Sequence, residues 1–168
     1  TEATLAVTAL LADPAPRHRI AVRLGDLAAD VCGRAAPLPQ RGGVGAPTLE
    51  SGCDVMVLVE PKSFRQALLN MLTAGMRNAG PLGEVSITAD AAHGSVVVRV
   101  RSTTTTARPP GTRTDPALTA GDERFPLCLA RALLELQGAN FTEIRADGVL
   151  EIAAVIEEAA QQEIDLLA

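Results

Sequence analysis

The spacing of hydrophobic and polar positions predicts a domain that mixes helices and strands. Alternation predicts a strand over 20–24, and an apolar run bounded by turn residues predicts a buried strand over 54–59. Apolar residues recurring at three and four predict helices over about 26–36, 61–79 and 126–136, with Asp26 as the N-cap of the first. An apolar, helix-prone segment over 1–12 precedes these elements and ends at Pro14 and Pro16.

Two β-hairpins are predicted in the second half of the chain. The first joins alternating runs over 85–89 and 96–100 through a turn at Ala92-His93-Gly94, and the second joins 140–145 and 149–156 at Asp147-Gly148. Residues 102–124 are rich in Thr and Pro and have no periodicity, which predicts a long flexible loop. Residues 157–168 form an acidic tail, either an amphipathic helix or a frayed end.

This order of elements predicts an α+β fold. The expected architecture is a two-layer α/β sandwich, with a mixed, mostly antiparallel sheet and three helices on one face. The length of 168 residues suits one domain of ordinary size.

Composition excludes several classes of function. Hydrophobic residues make up 47% of the chain, which is enough for a core and rules out wholesale disorder. A net charge of −5 without a basic run argues against nucleic-acid binding, and 2% aromatic residues leave no stacking platform. No apolar stretch reaches the roughly 18 residues of a membrane span, and the first residues carry no basic signal region.

The cysteines and histidines suggest no metal site. Cys32, Cys53 and Cys128 are odd in number and far apart, so we interpret them as small buried residues in a reducing cytoplasm. His18 lies beside a breaker segment and His93 in a hairpin turn, so both are expected at the surface.

Five segments of the sequence resemble those of a known protein family. The segments FRQALLNMLTAGMRNAG, GEVSIT, GSVVVRV, PLCLARALLELQGANF and DGVLEIAAVI resemble the catalytic ATP-binding domain of sensor histidine kinases. That domain belongs to the wider ATPase group of gyrase, heat-shock chaperones and MutL. The resemblance covers about residues 20–156. It places the domain at 17–156, between a helix and linker at 1–16 and the tail at 157–168.

The first family motif reads roughly N-L-L-x-N-A-x-K-Y. Asn70 matches its first Asn, which lies near the attacking water or the γ-phosphate, although a hydrogen bond to neighbouring backbone is the alternative role for this side chain. Ala74 stands where the family has the Asn that binds Mg²⁺, and a methyl group cannot supply the oxygen that this cation requires. The basic position is kept as Arg77, with a solvated helix-end cation as the alternative, and Asn78 replaces the Tyr beside the adenine.

The second and third motifs depart from the family in the same way. The family's V-x-D-x-G-x-G has an Asp that bonds the adenine amino group, and here that position is Ser102, while the two glycines are Thr104 and Thr106. The family's G-x-G-L-A cradles phosphates at the start of a helix, and here its glycines are Pro126 and Cys128.

The resemblance therefore implies a histidine-kinase-like domain of a bacterial two-component signalling pathway or phosphorelay. The altered motifs predict a degenerate pseudo-ATPase, a pseudokinase acting in docking or regulation, with no cofactor and no assigned catalytic residue. The alternatives are an active kinase domain that binds ATP and Mg²⁺ through unusual motifs, and a non-signalling interaction domain that shares the fold.

Expected partners are a response-regulator receiver domain or a partner kinase. A homodimer through the N-terminal helix is a further option. Apolar residues that the sandwich itself does not require flank it at both ends and are expected to pack on each other or on a second copy: Leu5, Leu10, Leu11, Ile164, Leu166 and Leu167.

Overall fold

A computed structural model describes residues 18–35, 46–50, 52–80, 83–104 and 124–159. Three helices and seven strands lie within these ranges. In chain order they are β1 (Ile20–Arg23), α1 (Leu24–Ala35), β2 (Thr48–Leu49), β3 (Met56–Val59), α2 (Pro61–Ala79), β4 (Glu84–Ala92), β5 (Ser95–Thr103), α3 (Arg124–Glu135), β6 (Asn140–Ala146) and β7 (Val149–Glu157).

The main sheet has five strands in the order β2-β4-β5-β7-β6. Strand β2 runs parallel to β4, and the other neighbouring pairs are antiparallel. A second sheet pairs β1 with β3, and a bridge between Val57 and Glu158 connects it to the end of β7. The predicted α+β sandwich with a mixed, mostly antiparallel sheet is therefore confirmed.

The core lies between the sheet and the helices because alternate strand residues point the same way. Val96, Val98 and Val100 of β5 are fully buried, and Phe64 and Leu68 of α2 pack into the same cluster. The intervening β5 residues lie on the opposite, more exposed face of the sheet.

Both predicted hairpins are confirmed, and the backbone explains their turns. His93 and Asp147 have φ of 53° and 49°, and the glycines that follow each have φ of 78°. Two successive positive φ values are the geometry of the tight turns that match the twist of paired strands.

Three details of the predicted elements are wrong. Helix α1 begins at Leu24, so Asp26 lies in its first turn rather than at its N-cap. Helix α3 begins at Arg124, and Leu136 lies beyond its end with 48% of its surface exposed. Of the predicted face, Leu133 is buried and Leu129 is half-buried against the core, but Leu136 is exposed; Leu127, Ala130 and Leu134 of α3 are buried with Leu133.

Several predicted segments lie outside the described residues. These are the helix at 1–12, most of the loop predicted over 102–124, and residues 160–168 of the tail. The ends of the predicted loop belong to regular elements, since β5 includes Ser102 and Thr103 and α3 includes Arg124. The first residues of the predicted tail are described: Glu157 completes β7, and Glu158 forms the bridge to Val57.

Candidate functional site

Helix α2 presents the residues of the first motif. Its N-terminus is capped by Glu60, whose carboxylate accepts hydrogen bonds from the backbone N–H groups of Lys62 and Ser63. Asn70, Ala74 and Asn78 recur every four residues and therefore share one stripe of the helix. The stripe ends at Asn78, beside the end of β5.

Asn78 and Ser102 form a direct hydrogen bond. The Asn78 Nδ2 donates to Ser102 Oγ at 2.7 Å, and Ser102 is fully buried. The Thr104 hydroxyl donates to the Asn78 carbonyl at 2.8 Å, and the Thr104 N–H donates to the Gly148 carbonyl at 2.8 Å. This Asn78–Ser102–Thr104 cluster joins the end of α2 to the end of β5 and to the second hairpin turn.

The backbone packs closely around the cluster. A Cβ at Gly75 would lie 3.2 Å from a Val100 methyl and 3.7 Å from Ser102 Cβ. A Cβ at Gly83 would lie 2.2 Å from the Ala79 carbonyl oxygen and 2.3 Å from that of Thr103. Glycine at both positions lets α2 and the α2–β4 connection approach β5 closely.

The residues at the metal position do not fit Mg²⁺. Ala74 is fully buried and offers a methyl group, whereas Mg²⁺ requires oxygen ligands. The Asn70 side chain donates to the Gln66 carbonyl of its own helix at 3.0 Å, which is the backbone role that the sequence left open. Within the described ranges no three His, Cys, Asp or Glu side chains come together as a metal-binding group.

The residues at the nucleotide positions do not fit ATP in the way the resemblance assigns. Ser102 lacks the carboxylate for the adenine amino group, and Asn78 already donates to its hydroxyl. In the part of the chain that is described, the non-glycine residues with positive φ are His93 and Asp147, so Thr104 does not reproduce the glycine conformation. Pro126 is buried in the first turn of α3 and has no N–H to offer a phosphate.

The two remaining candidate site residues lie on different helices. Arg77 is exposed in the last turn of α2, and Cys128 is exposed on α3. The sequence shows Asn78 and Ser102 as two separate departures from the family motifs and does not reveal that they bond each other. They are 24 residues apart, and no local pattern signals this contact.

The three cysteines differ in environment, so the expectation that all three are buried is wrong. Cys53 is buried, Cys32 is half-buried and Cys128 is exposed. Burial raises the pKa of the Cys53 thiol, and the Cys32 thiol raises it further; burial also raises the pKa of Cys32.

These environments predict the order in which the thiols react. With Ellman's reagent at mildly alkaline pH, one thiol, Cys128, is expected to react about tenfold or more faster than the others, because the thiolate is the nucleophile and access limits the rate. Cys128→Ser should remove the fast phase and leave the slow ones. Three equal rates would contradict the environments described.

No helix in the described ranges combines the length and apolar character needed to cross a membrane.

Known structures identify the fold. No protein-family model and no curated protein sequence matches the chain. The nucleotide-free catalytic domain of histidine kinase ThkA is similar at a TM-score of 0.64 and 15% identity, over 83% of this chain and 95% of that domain. Acinetobacter baumannii histidine kinase AdeS gives a TM-score of 0.64 and 12% identity, over 93% and 75% of the two chains. Full-length ShkA in complex with AMPPNP gives a TM-score of 0.70 and 21% identity, over 94% of this chain and 35% of that chain.

The chain therefore has the fold of the catalytic domain of histidine kinases, as the sequence predicted. At these identities the likeness concerns the fold and does not carry the chemistry of any one relative.

Proposed function

We propose that this domain is a degenerate, histidine-kinase-like module of a bacterial two-component pathway that acts in docking or regulation without using ATP. The observation that carries the proposal is the hydrogen bond between Asn78 and the buried Ser102. It occupies the position at which the resemblance places the contact between a carboxylate and the adenine amino group.

The buried methyl of Ala74 and the ring of Pro126 support the same proposal. Each removes a group that the resemblance assigns to Mg²⁺ or to a phosphate. A lost hydrogen-bond partner costs about 1–3 kcal/mol, and about 1.4 kcal/mol corresponds to a factor of ten in affinity. Three or more such losses would move a micromolar dissociation constant to the millimolar range or beyond.

Calorimetric titration tests the proposal. ATP is titrated into the full chain with and without Mg²⁺, and a histidine kinase catalytic domain that binds nucleotide serves as the positive control. We expect a dissociation constant of about 1 mM or weaker, and no gain from Mg²⁺. Micromolar binding would favour the alternative of an active domain with unusual motifs.

The partner proposed for such a module is a response-regulator receiver domain or a partner kinase. Its complex should form equally well with and without ATP and Mg²⁺, because no nucleotide contact contributes to it. A module that binds neither nucleotide nor receiver domains would instead fit a non-signalling interaction domain. The proposed location of the module is the cytoplasm.

A further inference from the structure

A groove of about 490 Å³ lies between α3 and β6, and none of the residues that line it belongs to the Asn78–Ser102–Thr104 cluster. We call it the α3–β6 groove. Its volume lies in the range of pockets that hold ligands or side chains of a partner. Seven residues line it: Arg124, Leu127, Cys128, Arg131, Phe141, Glu143 and Arg145.

Both walls of the groove follow from local geometry. The four α3 residues are spaced at three, four and seven, which puts them on one face of the helix. The three β6 residues alternate, and Phe141 and Arg145 pair with the buried Ala154 and Leu150 of β7. They therefore point to the helix side of the sheet, where α3 leaves them accessible.

The α3–β6 groove is cationic although the protein carries a net charge of −5. Arginines supply three positive charges, and the Glu143 carboxylate accepts a hydrogen bond from Arg145 at 2.7 Å. The Arg131 guanidinium lies 5.0 Å from the centre of the Phe141 ring. Among the residues that the structure describes, Arg124 and Arg131 form no ion pair with a carboxylate, which leaves both charges available to an anionic partner.

Strand β6 is also an edge of the sheet. Within the described ranges it pairs with β7 on one side and with no strand on the other. It is seven residues long, and Ile144 on the face away from the helices is 60% exposed. An edge strand of this kind offers unpaired backbone groups to another extended chain.

We propose that this edge binds an extended acidic segment of a partner protein, which adds to β6 as a further strand. Its acidic side chains, at alternate positions, enter the α3–β6 groove toward Arg124 and Arg131. Apolar side chains between them pack beside Ile144. Backbone hydrogen bonds to β6 supply affinity, and the groove supplies selection for acidic residues.

The spacing of the charges favours an extended segment over a single small anion. Arg124 and Arg131 lie seven residues apart on α3, or about 10 Å along the helix axis. Alternate residues of a strand are about 7 Å apart, so two or three successive acidic positions span that distance. One phosphate or sulfate ion would reach only part of it.

The test measures fluorescence anisotropy of a labelled seven-residue peptide that alternates Glu and Val and matches β6 in length. The full chain is expected to bind it, and Arg124→Glu and Arg131→Glu should each weaken binding about tenfold or more, as expected for loss and reversal of a contacting charge. Arg101→Glu is the matched control, because Arg101 is exposed on the opposite face of the sheet; it should change binding less than about twofold. Bound peptide should also slow the reaction of Cys128 with Ellman's reagent.

A second peptide separates strand addition from simple charge attraction. The same sequence with N-methyl groups on alternate residues keeps every charge but removes backbone donors, and it should bind about tenfold more weakly. Equal binding of the two peptides, an equal loss in Arg101→Glu, or no binding of the Glu-Val peptide would overturn the proposal. So would stronger binding of single-stranded oligothymidylate, or a self-association of the chain that Arg131→Glu abolishes. None of these readouts involves nucleotide, so they stand or fail independently of the ATP titration.

Discussion

Replacing Phe64 with alanine is expected to lower the free energy of unfolding by about 3–5 kcal/mol. Phe64 is 1% exposed and packs in the first turns of α2, at the centre of the layer between helices and sheet. Truncation to a methyl group removes the apolar contacts of the ring and leaves a cavity that the surrounding residues fill only in part. Urea denaturation of the full chain measures the difference.

Phe125 provides the matched control for Phe64. It is the same residue type on a helix, but 57% of its surface is exposed. Phe125→Ala is expected to change stability by less than about 1 kcal/mol. Equal losses in the two variants would show that α2 does not occupy the core position described.

The sequence predicted those parts of the fold that depend on local pattern. The alternation in β4, β5 and β7 and the long apolar stripe of α2 each repeat several times, so the signal is strong. Strand β2 could not be predicted, because its two residues follow a Pro- and Gly-rich stretch and have no period of their own. It exists because the backbone of Thr48 and Leu49 pairs in parallel with Ser86 and Ile87.

Helix α3 shows a different limit of sequence reasoning. Its leucines fit two overlapping stripes, and the pattern alone does not decide which one faces the core. Because the helix begins at Arg124, the stripe with Leu127 and Leu134 faces the core, and Leu136 lies outside the helix. The same choice leaves Cys128 and Arg131 exposed beside Leu127, and the three residues form part of one wall of the α3–β6 groove.

The sequence predicts the individual residues that differ from the family at the candidate site, but not which of their side chains contact each other. The departures from the family motifs at Ala74, Ser102 and Pro126 are visible in the sequence. The bond between Asn78 and Ser102 depends on where the end of α2 meets the end of β5, which is a tertiary contact. Asn78 and Ser102, at positions that the resemblance gives to the nucleotide, here form a hydrogen bond with each other.

Gly83 offers a direct test of how tightly this site is closed. Gly83→Ala is expected to destabilise the domain by about 3 kcal/mol or more, because the added methyl would meet the carbonyl oxygens of Ala79 and Thr103, and backbone atoms cannot move aside as a flexible side chain can. The affected backbone adjoins the Asn78–Ser102–Thr104 cluster on both sides. The loss should appear as a lower urea midpoint of the full chain.

Gly33→Ala is the control for the same chemical change. Gly33 lies in α1, is exposed, and has no atom within 4 Å of an added Cβ. Alanine there should stabilise the domain by about 0.5–1 kcal/mol, since it lowers the backbone entropy that glycine loses in a helix. Opposite signs for the two variants are therefore expected. A neutral Gly83→Ala would mean that the backbone at Gly83 can shift away from the carbonyl oxygens of Ala79 and Thr103.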